Sequence, residues 1–175
     1  MEKADLVKEI ISMLPDHTIG KYDLLTVFAN QKVFEEIVKI LARDFRNRVD
    51  YVAAPEAIGW ILGSAIAIEL GVGFIGIRKS CKLPYPGDEI VSVSFTDYSS
   101  QKKSFEIVKG SVVSGKRVLI VDDWIETGSQ MVAMIELLEQ LSCQIVGLAT
   151  IGIDTNDVTQ KWLDSGFVSY IGSNI

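Results

Sequence analysis

Residues 117–130 read RVLIVDDWIETGSQ, and the order of residue types in that stretch decides the fold. Val118, Leu119, Ile120 and Val121 form an unbroken apolar run, as a strand covered on both faces requires, and Asp122 and Asp123 end it with two like charges side by side. Thr127, Gly128, Ser129 and Gln130 then make a turn, and Met131, Met134, Ile135 and Leu138 fall on one face of a predicted helix from about Gly128 to Leu141. Such a strand-to-helix turn presents unpaired N–H groups and the positive end of a helix dipole, a seat for a phosphate. Gly128 allows close approach of the backbone. Carboxylates accept hydrogen bonds without donating, so the group attached to that phosphate should carry hydroxyls: a ribose, with Mg²⁺ as a further partner of Asp122 and Asp123. The plainer alternative is a solvated strand end with Thr127 or Ser129 capping the helix. It accounts for Val-Asp-Asp alone better than for four aliphatics, two acids, two spacers and then acid-Thr-Gly-Ser.

Outward from this stretch, VDYVAA (49–54), GFIGIR (73–78), QIVGLATIGI (144–153) and FVSYI (167–171) read as further buried strands. Residues 3–14 and 31–45 have helical periodicity; Val33, Ile37, Ile40 and Leu41 share a face and Asn30 is placed to cap. Residues 19–30 read as loop or irregular. After Pro55 comes the apolar helix EAIGWILGSAIAIEL, whose Gly59 and Gly63 permit close backbone approach. EIVSVSF (89–95) alternates as a half-exposed strand, and SQKKSFEIV returns as a hairpin. The expected fold is α/β, a parallel sheet flanked by helices with one small antiparallel excursion over 89–108. Ligands of such sheets sit beyond the carboxyl ends of the strands. APEAIG, RKSCKLPYPG and DDWIETGSQ should therefore share one rim and face one another.

Composition narrows the function. At 175 residues the chain is read as one domain, and a formal charge of −6 without a Lys/Arg stripe argues against nucleic acid as partner. Cys81 and Cys143 have neither CxxC spacing nor a nearby His, which points to free thiols in a reducing compartment. The first residues, MEKADLVKEIISML, alternate acid and base without a signal-peptide block, and the most apolar window, 58–70, is shorter than the roughly 20 residues of a membrane span. The expectation is a cytoplasmic protein with no membrane partner. His17 is the single histidine and lies in a Pro-Asp-His turn, so His-dependent catalysis is not expected. No G-x-G-x-x-G turn follows a strand, as a dinucleotide site requires, and a phosphorelay receiver carries its acid pair near the domain start, whereas only residues 124–175 follow the pair here.

RVLIVDDWIETGSQ resembles the 5-phosphoribosyl-1-pyrophosphate (PRPP) signature of the type I phosphoribosyltransferases. The likeness runs in order from about Tyr22 to Ile151, through VDYVAAPEAIGWILGSAIAIELGVGFIGIRKSCKLP and FTDYSSQKKSFEI, and is nearest to the adenine members. It implies transfer of the phosphoribosyl group from PRPP to a purine base, giving a nucleoside monophosphate and pyrophosphate in purine salvage, with Mg²⁺ as cofactor. By the same resemblance Asp122 and Asp123 bind the ribose hydroxyls and the metal, and Glu126, Thr127, Gly128, Ser129 and Gln130 hold the 5-phosphate. Glu56, Ala57 and Ile58 lie at the pyrophosphate, and Arg78, Lys79 and Lys82 are lid cations for it; the lid and hairpin span 78–108. Residues 1–30 correspond to a hood over the base, with Lys21 and Tyr22 beside it. Trp124 either stacks on the base or packs on the next loop. Asp97-Tyr98 stands where the adenine members have an acid-Tyr pair whose acid exchanges a proton with the purine, and Glu126 is a second candidate for that proton.

The chain departs from the family pattern at four places. Ile58 replaces an Arg, Ser129-Gln130 replaces Gly-Thr, Asp97 is shorter than the expected Glu, and Glu126 replaces a small residue. The first two departures motivate the alternative expectation of a PRPP- or nucleotide-sensing regulator that kept the fold and lost turnover. The helix of residues 57–70 is apolar all round, which, with the family habit, suggests a homodimer.

Overall fold

A computed structural model describes residues 2–14, 24–79, 82–96, 101–112 and 114–173. Their elements are α1 (Lys3–Met13), α2 (Leu25–Phe28), α3 (Gln31–Arg43), β1 (Tyr51–Pro55), α4 (Ile58–Leu70), β2 (Gly73–Lys79), β3 (Ile90–Thr96), β4 (Lys102–Val108), β5 (Arg117–Ile125), α5 (Ser129–Glu139), β6 (Gln144–Ile153), α6 (Thr159–Asp164) and β7 (Val168–Ser173). The strands form a sheet of order β3-β4-β2-β1-β5-β6-β7. β2, β1, β5, β6 and β7 run parallel, with β5, the strand of the acid pair, in their middle. β4 joins β2 antiparallel through Arg78 and Lys79, and β3 pairs antiparallel with β4, which is the expected excursion.

Burial on both faces explains the unbroken apolar runs. Val52 and Ala54 of β1, Leu119 and Val121 of β5, and Ala149 and Ile151 of β6 belong to one core layer with Leu6, Ile10, Ile37, Leu41, Leu62 and Ile66 of α1, α3 and α4. The alternate residues Ala53, Val118, Ile120 and Leu148 belong to a second layer with Met131, Met134, Leu137 and Leu138 of α5 and with Val93, Phe105 and Ile107 of the hairpin. A strand with water on one face would have needed a polar residue at every second position. Asn30 caps α3 as its sequence position implies, accepting the N–H groups of Lys32 and Val33 at 3.2 and 3.3 Å.

Two elements differ from the sequence reading. Residues 25–28, read as irregular, form the single turn α2, held by the fully buried Leu24 and Val27; one turn is too short to show a period. β5 does not stop at the acid pair but runs on to Ile125, because β6 is long enough to keep pairing with it: Asp122 lies opposite Thr150, Trp124 opposite Gly152 and Ile125 opposite Ile153. At the opposite end of the sheet Arg117 donates to both carboxylate oxygens of Asp50, from Nε at 3.2 Å and Nη2 at 3.0 Å, and joins the beginnings of β1 and β5. His17, Lys21, Tyr22, Cys81, Asp97 and Tyr98 lie outside the described residues.

Candidate active site

β1 and β5 are parallel neighbours, so the turns that follow them open on the same rim. α4 begins directly above β1, and its Gly59 is squeezed from two sides: a Cβ there would lie 2.8 Å from Pro55 Cδ and 3.0 Å from Asp122 Oδ1. The carboxylate of Asp122, only 5% exposed, therefore rests against the first turn of α4, where the helix dipole favours negative charge. Its Oδ1 also accepts the Asp123 N–H at 3.0 Å, while Asp123 itself is half-buried.

The turn after β1 draws the lid toward the same place. Glu56 Oε1 accepts the Lys79 N–H at 2.8 Å and Lys82 Nζ at 2.9 Å, and Arg78 Nη1 stands 3.6 Å from Oε2. Burial pushes the Glu56 carboxyl up, but the hydrogen bonds from Lys82 and the Lys79 amide, with the Arg78 charge, prevail and hold it below the ordinary glutamate value. The Arg78 guanidinium also lies 5.1 Å over the Trp60 ring, whose indole N–H donates to the Ala54 carbonyl at 3.0 Å. Glu56 thus gathers Arg78, Lys79 and Lys82 around one carboxylate, with Ala57 exposed beside them and Ile58 half-buried at the start of α4. The peptide bond between Glu56 and Ala57 is cis.

The turn after β5 is built for a close backbone approach. Gly128 has φ +83°, and a Cβ there would lie 3.0 Å from the Trp162 ring and 3.1 Å from Val158. Thr127 is exposed; its Oγ1 lies 3.0 Å from Ser129 Oγ and accepts the Ser129 N–H at 3.3 Å. α5 starts from this turn, its first bond running from the Val132 N–H to the Gly128 carbonyl at 3.0 Å. A small open pocket is lined by residues 124–131, which include all five positions assigned to the 5-phosphate. Within the segment Thr127 is exposed and Glu126, Ser129 and Gln130 are half-buried, and Asp122 reaches the first turn of α4, next to the carboxylate that holds the lid cations. The loop after β1 thus touches both of the others, through Gly59 to Asp122 and through Glu56 to Lys79 and Lys82, on the rim that the order of elements predicts.

Trp124, half-buried, packs on β6 and on the segment that follows it. Its ring lies across Gly152, where a Cβ would come within 2.4 Å, and its indole N–H donates to Asp154 Oδ1 at 3.1 Å. Sequence reasoning missed the segment that packs behind the phosphate turn, residues 154–162. Asn156 donates from Nδ2 to the Glu126 carbonyl at 2.8 Å, and Trp162 covers Gly128. The visible signal was Asn156 followed by Thr159, a helix-start pattern; it announces α6 without revealing which turn α6 would press against.

For a metal, the donor set is the adjacent pair Asp122 and Asp123. No group of three or more His, Cys, Asp or Glu stands close enough to cage an ion among the described residues. Mg²⁺ commonly takes one or two carboxylates and completes its shell with water and substrate phosphate oxygens, so this pair fits an ion that arrives with a phosphorylated substrate.

Comparison with known proteins agrees with this geometry. Residues 24–171 match the phosphoribosyl transferase domain family. Over 153 residues the chain is 37% identical to the adenine phosphoribosyltransferase of Bordetella avium, covering 85% of this chain and 81% of that one. Among solved structures it resembles the adenine phosphoribosyltransferase of Thermoanaerobacter pseudethanolicus (TM-score 0.82, 31% identity, 95% of this chain and 99% of that one). It also resembles the Saccharomyces cerevisiae enzyme complexed with an imino-altritol bisphosphate and adenine (TM-score 0.81, 25% identity, 97% and 99%). With the signature turn on the middle parallel strand and this likeness along nearly its whole length, the chain belongs to the phosphoribosyl transferase domain family, in its type I form, and is most like the adenine phosphoribosyltransferases.

Proposed function

We propose that the protein transfers the phosphoribosyl group of PRPP to adenine, giving adenosine monophosphate and pyrophosphate. The observation that best supports this reading is the meeting of two opposite chemistries on one rim: an acid pair and the start of α5 after β5, and cations gathered by Glu56 after β1 and β2. The relatives are named as transferases of adenine, which supports turnover of that base over a sensing role.

In this reading the amides of Thr127, Gly128, Ser129 and Gln130 hold the 5-phosphate, and Asp122 and Asp123 accept the ribose hydroxyls. Arg78, Lys79 and Lys82 face the pyrophosphate, beside Ala57 and Ile58. Position 58 offers no side-chain donor, so the guanidinium contribution falls to Arg78, which Trp60 and Glu56 hold in place. The adenine nitrogen forms its bond to the anomeric carbon as the bond to pyrophosphate breaks and its electron pair leaves on the pyrophosphate oxygen. An oxocarbenium-like transition state of this kind is stabilised by neutralising the departing charge and by excluding water. Asp122 and Asp123 would hold Mg²⁺, which when bound would supply part of that neutralisation. The proton released by the base goes to a carboxylate, Asp97 beside Tyr98 or Glu126, with Lys21 and Tyr22 of the hood and the edge of Trp124 at the base.

Two further parts belong to the same proposal. Ile61, Ile68 and Phe74 are 41%, 81% and 37% exposed on α4 and β2, an apolar surface that supports pairing of two copies. A cytoplasmic site of action belongs to the proposal; no described helix is long and apolar enough to cross a membrane.

The test is incubation with PRPP and Mg²⁺ and, separately, adenine, hypoxanthine, guanine and xanthine, following nucleotide and pyrophosphate release. Adenosine monophosphate from adenine is the expected product. PRPP binding with no product from any base would favour the sensing alternative, and no PRPP binding would overturn both.

A further inference from the structure

The phosphate turn is exposed at Thr127 and braced from behind, and the brace converges on one side chain. Asn156 Nδ2 donates to the Glu126 carbonyl at 2.8 Å, while its Oδ1 accepts the N–H groups of Val158 and Thr159 at 2.9 and 3.2 Å. Thr159, fully buried, fixes the same loop: its Oγ1 donates to the Asp154 carbonyl at 2.6 Å and accepts the Asn156 N–H at 2.9 Å. The Asp154 N–H in turn donates to the Ile125 carbonyl at 2.8 Å, and Trp162 and Val158 close over Gly128. Two successive carbonyls at the end of β5, those of Ile125 and Glu126, are therefore held by the segment that follows β6. A peptide unit whose carbonyl is tied points its following N–H the other way, since the two groups are antiparallel across a planar trans amide. Fixing the Glu126 carbonyl therefore aims the Thr127 N–H toward the front of the turn.

We propose that Asn156 is a positioning residue for the phosphate turn, holding the Glu126–Thr127 peptide in the orientation in which the turn's N–H groups receive the 5-phosphate before any ligand arrives. A preformed donor set binds more tightly than one that must be ordered by its ligand.

Because this builds on the phosphoribosyl reading, the two are tested apart. Wild type is first titrated with PRPP; absence of binding there would overturn the proposed function. Asn156→Asp and Asn156→Ala are then compared with wild type. The Asp variant keeps an oxygen acceptor for the Val158 and Thr159 amides and loses only the donor to Glu126, whereas the Ala variant loses both without adding charge. Each variant should bind ribose 5-phosphate about tenfold more weakly, the loss expected for one hydrogen bond in a preorganised site. Each should also raise KM for PRPP with kcat within about twofold, the split expected when ground-state and transition-state binding fall together. Affinity for inorganic pyrophosphate should not change, and hydrogen exchange at residues 127–131 should quicken in the ligand-free Asp variant. Weakening in the Asp variant alone would assign the effect to added charge, weakening in the Ala variant alone to loop anchoring, and unchanged ribose 5-phosphate affinity in both to neither; each of these results overturns the proposal. Equal loss of ribose 5-phosphate and pyrophosphate affinity would also overturn it, since that is the signature of general unfolding.

Discussion

The two strand-to-helix turns on the rim begin alike and end differently. Each leaves an adjacent parallel strand and starts a helix over a glycine pressed from close range, Gly59 in one and Gly128 in the other. After β1 the turn carries its own anion: Glu56 occupies the neighbourhood of the helix start and draws in cations from the lid. After β5 the turn carries hydroxyls and a left-handed glycine, and the first turn of α5 carries no acidic side chain, which in the proposed function leaves it for the 5-phosphate. In the proposed function one end of a phosphorylated sugar would meet backbone groups braced by Asn156 and Trp162, and the other the long side chains of Arg78 and Lys82. Such a division suits a substrate that must be held at its 5-phosphate while its pyrophosphate departs.

The largest expected effect comes from removing what both turns touch. Asp122→Asn combined with Asp123→Asn should abolish PRPP binding, a loss of at least about a hundredfold for two charge-assisted sites, with an unchanged circular dichroism spectrum. Calorimetry that finds wild-type affinity would remove the acid pair from the account. Next in size, Gly128→Ala sets a Cβ against Trp162 in a backbone conformation that Ala adopts only with strain, so it should cost about 1–3 kcal/mol of stability as well as most of the ribose 5-phosphate affinity. The same change at the exposed Gly110, which meets nothing within 4 Å, should leave both alone, as urea unfolding would report.

The comparison also shows what sequence reading reaches. The parallel core was legible because burial on both faces leaves continuous aliphatic runs, and the phosphate turn was legible because Gly128 and the acids are local features within one stretch. The partnership of Glu56 with Arg78 and Lys82 joins residues far apart in sequence whose charges fit many pairings. The brace by Asn156 and Trp162 depends on β7 returning beside β6 and turning α6 against Gly128, which no local pattern encodes. The persistence of β5 past its acids was hidden for a similar reason: it depends on the length of its neighbour, not on its own residues.

A smaller effect is expected from Glu56→Ala. It removes the acceptor of the Lys79 amide and the partner of Lys82, so hydrogen exchange at Arg78, Lys79 and Lys82 should quicken, while residues 127–131 stay as protected as before. Global stability should fall by no more than about 1 kcal/mol, because the cations are half-exposed. Equal loosening of both turns would mean that they are one mechanical unit.

The smallest effect lies at the far end of the sheet. The Arg117 guanidinium and backbone N–H hold the Asp50 carboxyl down at about 2. An Asp in the unfolded chain titrates near 3.9, so the folded state binds this proton less readily and the pair's contribution is complete above about pH 4. As pH falls from there through about 2 the contribution disappears. Asp50→Asn should therefore flatten that part of the acid-unfolding curve without altering ligand affinity at pH 7.

The central claim, that the sugar phosphate is received after β5 and the leaving group after β1 and β2, is tested most directly by a crystal structure of the complex with ribose 5-phosphate, pyrophosphate and Mg²⁺. The account predicts phosphate oxygens within hydrogen-bond distance of the amides of residues 127–130, ribose hydroxyls on Asp122 and Asp123, and pyrophosphate beside Arg78 and Lys82. Pyrophosphate seated on the turn of residues 127–130, or ribose hydroxyls turned away from the acid pair, would contradict it.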